Sequence, residues 1–334
     1  MSNKFPKINY IGNKEQISTW ICKHIPKDVE TIFDAFSGGC SLAYEAKGKG
    51  YQVHTNDVLY INYLIGLSLI ENNKITLTDE DTNIIFSGKP KKGFMYKNYT
   101  NVHFFEDECM QLDRYRNNIE KLKNKFKKSL ALILLRRSMI RKMPYSRFNI
   151  LWKKVIQLRD EEYSYNLYKR RRAYHNKSFK NHFEENLNDY NNAVFDNSKK
   201  NKAYYGNIFN NVNKVSADLI YIDPPYPGTM NDYFGFYSLL DNYALSKITK
   251  KFNNSFMDRK SAIEEFDKLF SKLTHFKYWF ISYNNQSYPN KTELYSLLKQ
   301  HSKNVKIIEK DHVYKITGKE KKKKNKEVLF VVKN

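Results

Sequence analysis

Ala217-Asp218-Leu219-Ile220-Tyr221-Ile222-Asp223-Pro224-Pro225-Tyr226 is an apolar run that stops abruptly at an acid, two prolines and a tyrosine. Ala217 to Ile222 has the β-branched and aromatic character of a strand buried on both faces of a parallel sheet. Neither proline can donate a ladder hydrogen bond, so the strand ends there. In open α/β sheets, ligands sit just beyond the carboxyl ends of the strands. A carboxylate, two rigid carbonyl-bearing residues and an aromatic ring are therefore set where chemistry takes place. The plainer reading is an Asp-capped Pro-Pro loop beside a packed tyrosine, and four residues alone do not separate the two.

The arrangement suits methylation of an exocyclic amine. The amino nitrogen of adenine is a poor nucleophile, because its lone pair is delocalised into the ring. The Asp223 carboxylate and the Pro224 carbonyl can each accept one of its N–H groups, drawing the nitrogen toward tetrahedral geometry and its lone pair toward a methyl donor. This is positioning and electrostatics, with no covalent intermediate. Tyr226 would stack on a base taken out of its helix.

Toward the N-terminus, the spacing predicts a helix over Glu15 to His24, a strand over Thr31 to Asp34, and a glycine turn, Phe36-Ser37-Gly38-Gly39-Cys40. A helix from Ser41 to Lys47, a strand from Gln52 to Asn56 ending at Asp57, and a helix from Tyr60 to Ile70 follow. A glycine turn opening a helix lets a ligand approach the backbone closely. Asp57 falls about 20 residues beyond that turn, where an acid meets ribose hydroxyls in nucleotide-binding folds. Combined with the Asp-Pro-Pro-Tyr corner, this half-unit points to a nucleoside-containing methyl donor beside an amine-binding site.

The middle of the chain is different. Of 58 Lys/Arg and 35 Asp/Glu in 334 residues, Arg114 to Lys180 holds 21 Lys/Arg against 4 Asp/Glu. A Lys- and Asn-rich composition would not concentrate charge in this way, so the segment reads as the footprint of a polyanion such as nucleic acid. The alternative is a solvated basic face. Helical spacing covers Asp107 to Asn117 and Ile119 to Met143, which Pro144 ends, while Lys177 to Lys202 reads as a mobile loop or a peripheral helix. The second half returns to α/β character. Strands are expected at Tyr204 to Phe209, Ala217 to Ile222, Lys277 to Tyr283, Asn304 to Ile308, Asp311 to Ile316 and Glu327 to Val332. Helices are expected at Ser261 to Lys272 and Thr292 to Gln300, and the lysine-rich stretch Thr317 to Lys324 reads as a solvated hairpin tip. Three widely spaced cysteines (Cys22, Cys40, Cys109) indicate neither a disulfide framework nor a structural metal. With no leader-like start and no apolar run long enough to span a bilayer, a cytoplasmic location is expected.

Together these motifs resemble the Dam-type, alpha-group adenine-N6 DNA methyltransferases, nearly end to end. The family's Tyr/Trp-x-Gly-x-Lys opening is seen as Tyr10-Ile11-Gly12-Asn13-Lys14, and its D-x-F-x-G-x-G turn as Asp34 to Cys40. Its second-strand acid is similar to Asp57, its DPPY to Asp223-Pro224-Pro225-Tyr226, and its later segment to Ser282-Tyr283-Asn284. The closing hairpin resembles His312 to Ile316 with Glu327 to Phe330. The resemblance implies an α/β, Rossmann-like S-adenosylmethionine-dependent methyltransferase fold, mostly parallel with an antiparallel C-terminal hairpin. Residues 1–73 and 203–334 would form the catalytic domain, and 74–202 an inserted, mostly helical, basic target-recognition domain.

The resemblance further implies S-adenosyl-L-methionine bound by Tyr10, Lys14, Asp34, Phe36, Gly38, Asp57, Asn207 and Asp223, with Asp223, Pro224 and Tyr226 catalytic. Cys40 and Asn207 depart from the family, which has a glycine and often an acid there. Double-stranded DNA would be the substrate, met by Arg136, Arg137, Arg141, Lys142 and Arg147, with a cognate restriction endonuclease as a possible partner. The rivals are the same chemistry on RNA adenine or cytosine-N4, a non-catalytic nucleic-acid-binding protein, and a dinucleotide-dependent oxidoreductase. The last lacks its GxGxxG spacing. A leading aspartate and a trailing tyrosine lean toward adenine, and the long basic insertion toward duplex DNA.

Overall fold

The strands of the chain are β1 (Thr31–Asp34), β2 (Gln52–Asp57), β3 (Lys202–Tyr205), β4 (Leu219–Ile222), β5 (Tyr278–Asn284), β6 (Asn304–Asp311) and β7 (Lys326–Lys333). They come from a computed structural model that describes residues 4–10, 12–169, 173–225, 227, 233–251, 255–285, 287–311 and 326–334. Among these residues the seven strands form one sheet, in the order β3-β2-β1-β4-β5-β7-β6. Pairing is parallel from β3 through β5 and antiparallel where β7 meets β5 and β6. The expected mostly parallel, Rossmann-like sheet with an antiparallel C-terminal pair is therefore observed. Strand order reverses between β1 and β4, the switch point at which doubly wound sheets bind ligands.

The chain divides into two compact units. The sheet unit comprises Lys14–Val58, Asn197–Asp232 and Phe252–Asn334. Its central strands β4 and β5 are buried along their whole length, matching their unbroken apolar sequence. Phe33, Ile220, Ile222, Trp279 and Ile281 pack with Phe266, Phe270 and Leu294 of the helices Ala262–Phe270 and Lys291–His301. Strand β6, at the edge, alternates exposed and half-buried residues and carries Lys306, Glu309 and Lys310, charges that discourage edge-to-edge pairing.

The helical unit comprises Met1–Asn13, Leu59–Asp196 and Tyr233–Lys251. Its axis is helix Lys125–Lys142, buried nearly all round from Ser129 onward. Phe179, Phe183 and Tyr190 of helix Phe179–Asn192 are buried, so the stretch left open between loop and helix is a helix with an apolar face. The unit is larger than the expected 74–202. The Arg136 guanidinium donates to the Ile8 carbonyl and the Tyr190 hydroxyl donates to Lys7 O, tying in the N-terminal segment. The Asp241 carboxylate accepts the Tyr60 and Ile61 N–H groups, and the Arg116 Nε–H donates to Ala244 O, joining residues 59–73 and 233–251 to the same core. These bonds link segments far apart in the chain, which composition does not reveal.

Local differences have local causes. The helix expected over Glu15 to His24 is confined to Ser18–Cys22. The run expected from Ile119 to Met143 breaks before Asn124, whose side chain caps Lys125–Lys142. At Tyr204 to Phe209, β3 stops at Tyr205. Gly206 takes φ +128, and Asn207 then caps the short helix Ile208–Asn211. Asp311, where a separate strand was expected to begin, instead ends β6, while the rest of that expected strand and the lysine-rich tip fall at 312–325, outside the described residues. Among the described residues no helix is long and apolar enough to cross a membrane, and no cluster of His, Cys, Asp or Glu suits a metal.

Candidate active site

The sheet unit carries its acids at the carboxyl ends of adjacent strands. Asp34 closes β1 and pairs in register with Tyr221 of β4, so Asp223 follows two residues beyond that pair. Asp57 closes β2, beside β1. Backbone pairing alone thus gathers three carboxyl groups from positions scattered along the sequence.

Each acid has a different environment. Asp34 is buried and accepts backbone N–H groups of Phe36 and Ala43. Burial, with Asp223 and Asp57 nearby, pushes its carboxyl well above the ordinary carboxylate range. Its Oδ1 is a buried atom with no hydrogen-bond partner among the described residues. Asp57 Oδ2 accepts the Gly38 N–H at 2.8 Å, locking the glycine turn against β2. Gly38 itself takes φ +48, a left-handed conformation that glycine adopts without strain.

Asp223 meets the Lys14 ammonium at 3.2 Å through Oδ1. Burial pushes its pKa up to about 6, with the Lys14 charge opposing and that of Glu327 reinforcing the rise. Lys14 also lies 3.3 Å from Glu327 Oε1, and that oxygen accepts the Ser282 hydroxyl at 2.8 Å. Pro224 follows, buried, with its carbonyl the next acceptor in the chain.

Around the acids, Phe36 packs edge-on against Phe256, with ring centroids 5.4 Å apart. Asn207 is exposed just beyond β3. Cys40, where the family has glycine, is fully buried at φ +61 and opens helix Ser41–Gly48. Tyr10 lies in the helical unit, stacked on Tyr237 at 5.0 Å. Tyr226 is outside the described residues.

Four residues here had no site role in the sequence reading. Ser282 and Glu327 stood there only within motif segments; the other two are Asn56, whose amide donates to Ala35 O, and Asn211, whose amide donates to Asn56 Oδ1 at 2.7 Å. Asn56 sits beside the acid of β2 and could have been suspected. Nothing near Asn211 in sequence marks it.

The basic segment requires correction. Arg136, Arg137 and Lys142 were expected to meet nucleic acid, yet they are 1%, 5% and 2% exposed. Arg136 is spent on the Ile8 and Asn9 carbonyls, and Arg137 on Asn186. Lys142 is spent on Glu108, at 2.9 Å, and on Lys177 O. Arg159 completes this buried cluster with two bonds to the Glu108 carboxylate, at 2.6 and 2.8 Å. Of the five expected contacts, Arg147 is exposed and Arg141 half-buried.

Immediately after Lys142 the chain passes through Tyr145 and Ser146, both left-handed at φ +56 and +57. Helices Trp152–Arg159 and Glu161–Tyr168 follow. Seven of the ten exposed large hydrophobic side chains described fall between Tyr145 and Tyr168, led by Leu151 at 83%. The exposed Arg147, Lys153 and Lys169 belong to the same stretch, and the hydroxyls of Tyr145 and Tyr168 meet at 2.8 Å.

Comparison with known proteins agrees with this geometry. The family model of D12 class N6 adenine-specific DNA methyltransferases matches residues 10–325. The chain is 57% identical over 331 residues to the type II methyltransferase M2.HphI of Haemophilus parahaemolyticus, covering 99% of this chain and 98% of that protein. It is 26% identical to the modification methylase StsI of Streptococcus sanguinis and 23% identical to the type II methyltransferase M.FokI of Planomicrobium okeanokoites. Those matches cover 96% of this chain but only half of each of the other two proteins.

Proposed function

The chain belongs to the D12 class of N6 adenine-specific DNA methyltransferases, and we propose that it transfers the methyl group of S-adenosyl-L-methionine to an adenine flipped out of duplex DNA toward Asp223 and Pro224. One observation carries this reading. Just beyond the carboxyl end of β4, the Asp223 carboxylate meets the Lys14 ammonium at 3.2 Å, with the Pro224 carbonyl the next acceptor in the chain.

The residues at the strand ends fit the donor. S-adenosyl-L-methionine carries two positive centres and ribose hydroxyls, and Asp34, Asp57 and Asp223 offer carboxyl acceptors. The unpartnered Asp34 Oδ1 and the close backbone of Gly38 suit such a ligand. In this reading Lys14 faces the donor's carboxylate, Asp57 its ribose, and Phe36 and Asn207 the remaining walls of its pocket. When bound, the donor supplies an electrophilic sulfonium methyl whose bonding pair stays on sulfur as the N6–carbon bond forms. The Asp223 carboxylate and the Pro224 carbonyl accept the two N6–H groups and localise the lone pair. As the nitrogen gains its methyl group it becomes strongly acidic, and Asp223 is the nearest base to take the leaving proton. Tyr226 is proposed to stack on the flipped ring.

For the DNA-facing surface we propose the stretch from Tyr145 to Lys169, in place of the buried Arg136, Arg137 and Lys142. Arg147, Lys153 and Lys169 would meet phosphates, and the exposed Tyr145 and Leu151 would meet bases or the groove. The helical unit as a whole would then be the target-recognition domain. Because M2.HphI is named a type II methyltransferase, the natural setting is a type II restriction-modification system. The partner there would be an endonuclease of matching specificity, and both would act on cytoplasmic DNA.

The test is to methylate duplex DNA with labelled donor, digest it to nucleosides and identify the product. N6-methyladenine is expected. N4-methylcytosine, or methylation of RNA in preference to DNA, would overturn the reading.

A further inference from the structure

Asn56 and Asp57 close β2 and, as neighbours in a strand, turn their side chains to opposite faces of the sheet. Asp57 Oδ2 accepts the Gly38 N–H at 2.8 Å, while Asn56 Nδ2 donates to the Ala35 carbonyl at 3.1 Å. The backbone carbonyls of the same two residues accept the N–H groups of Ser37 and Gly206, at 3.0 and 2.9 Å. One strand end thus holds both the glycine turn after β1 and the Gly206 turn after β3.

Asn211 joins these two turns through a side chain. From the end of helix Ile208–Asn211 its Nδ2 donates to Asn56 Oδ1 at 2.7 Å and to the Tyr205 carbonyl at 3.2 Å. A Cβ placed on Gly206 would stand 3.5 Å from that nitrogen, so the turn lies directly over the amide. The bonding also fixes which way round each amide sits. Turning either one over would set N–H against N–H, or oxygen against oxygen. Asn56 and Asn211 are 2% and 7% exposed, so these bonds are made away from water. For fold stability alone an apolar pair of the same shape would serve about as well. Apolar contact has no direction, however, and would not fix the spacing of two turns.

We propose that Asn211 is a positioning residue for the methyl donor: through Asn56 it holds the turn after β3 at a set distance from the glycine turn after β1, so that the donor meets preformed walls. The proposal rests on the reading given above, in which Asp34, Phe36, Gly38 and Asp57 line one side of the donor's pocket and Asn207 the other. Ala35 stands between Asp34 and Phe36, and Tyr205 two residues before Asn207. Each end of the amide chain therefore reaches the backbone within two residues of that lining. With the link cut, the turns relax separately, and binding must order them again at a cost in affinity.

The experiment is calorimetric titration of the full chain with S-adenosyl-L-methionine, alongside steady-state kinetics, for the wild type and Asn211→Leu. The leucine keeps the volume and removes the donors. The donor Kd should rise about tenfold and its KM with it, while kcat at saturating donor and the KM for DNA stay within about twofold. A role confined to the fold would lower the melting temperature without this split between KM and kcat. In an Asn56→Leu background the same substitution should add little, because the link is already cut. Asn211→Ala takes its place should Asn211→Leu not fold. An unchanged donor Kd in a folded variant, or two effects that simply add, would overturn the proposal. So would loss of folding in both variants, which would assign the pair to the fold itself. A wild type that did not bind S-adenosyl-L-methionine would instead refute the reading of the donor site.

Discussion

In the proposed reaction Asp223 has two tasks, as acceptor of the substrate amine and as base for its proton. Burial lifts its pKa to about 6, close to the point where a carboxylate serves as both acceptor and base near neutral pH. Protonation would remove the acceptor. The kcat/KM profile of the wild type is therefore expected to fall as pH drops through about 6, with a plateau above it, and a flat profile down to pH 5 would contradict this assignment. Asp223 and Asp57 could be singled out in the sequence because each follows a strand, whereas Lys14 could be singled out only through the resemblance of Tyr10 to Lys14 to the family's opening segment. Glu327 and Asn211 were not, because their partners are distant in the chain and only strand register brings them together. Tyr226, proposed to stack on the flipped base, lies outside the described residues.

Among the elements, helix Lys125–Lys142 shows most clearly where a charge map misleads. Its sequence has the density of positive charge that a polyanion would seek, yet Arg136, Arg137 and Lys142 point into the helical unit. A linear count registers charge but not the face on which it lies, and this helix is buried almost all round. The Glu108–Lys142–Arg159 cluster at its C-terminal end fixes the start of the exposed stretch beyond. Burial alone would raise the Glu108 pKa, but the Arg159 hydrogen bond and the Lys142 charge more than offset it and hold it below the ordinary value. Glu108→Gln would leave two buried cations uncompensated, at a cost of about 3–5 kcal/mol in denaturant unfolding at pH 7. A depressed pKa stabilises above the unfolded value and the benefit is lost as pH falls through the folded one, so the variant's deficit should shrink below about pH 4. A deficit independent of pH would point to packing instead. The end of this helix at Pro144 was readable, because a proline acts locally, whereas its start at Asn124 was not read.

For the whole molecule, the apolar strands and the glycine turn foretold a mostly parallel sheet with its acids at the carboxyl ends. The division into units was less legible. Residues 1–13, 59–73 and 233–251 join the helical unit through bonds such as Asp241 to Tyr60 and Ile61, between segments far apart in sequence. Duplex binding should separate the exposed cations from the buried ones. Arg147→Ala should weaken binding across sequences and reduce the salt slope by about 1, whereas Arg136→Ala should lower thermal stability and leave the slope of the folded protein unchanged. The reverse pattern would move the DNA-facing surface back onto the buried helix. The most direct measurement is methyl transfer from labelled S-adenosyl-L-methionine to duplex DNA by the wild type and by Asp223→Ala, with melting temperature recorded for both. N6-methyladenine from the wild type, and none above background from a variant that melts at a similar temperature, is the predicted result. Wild-type rates from Asp223→Ala would contradict the account at its centre.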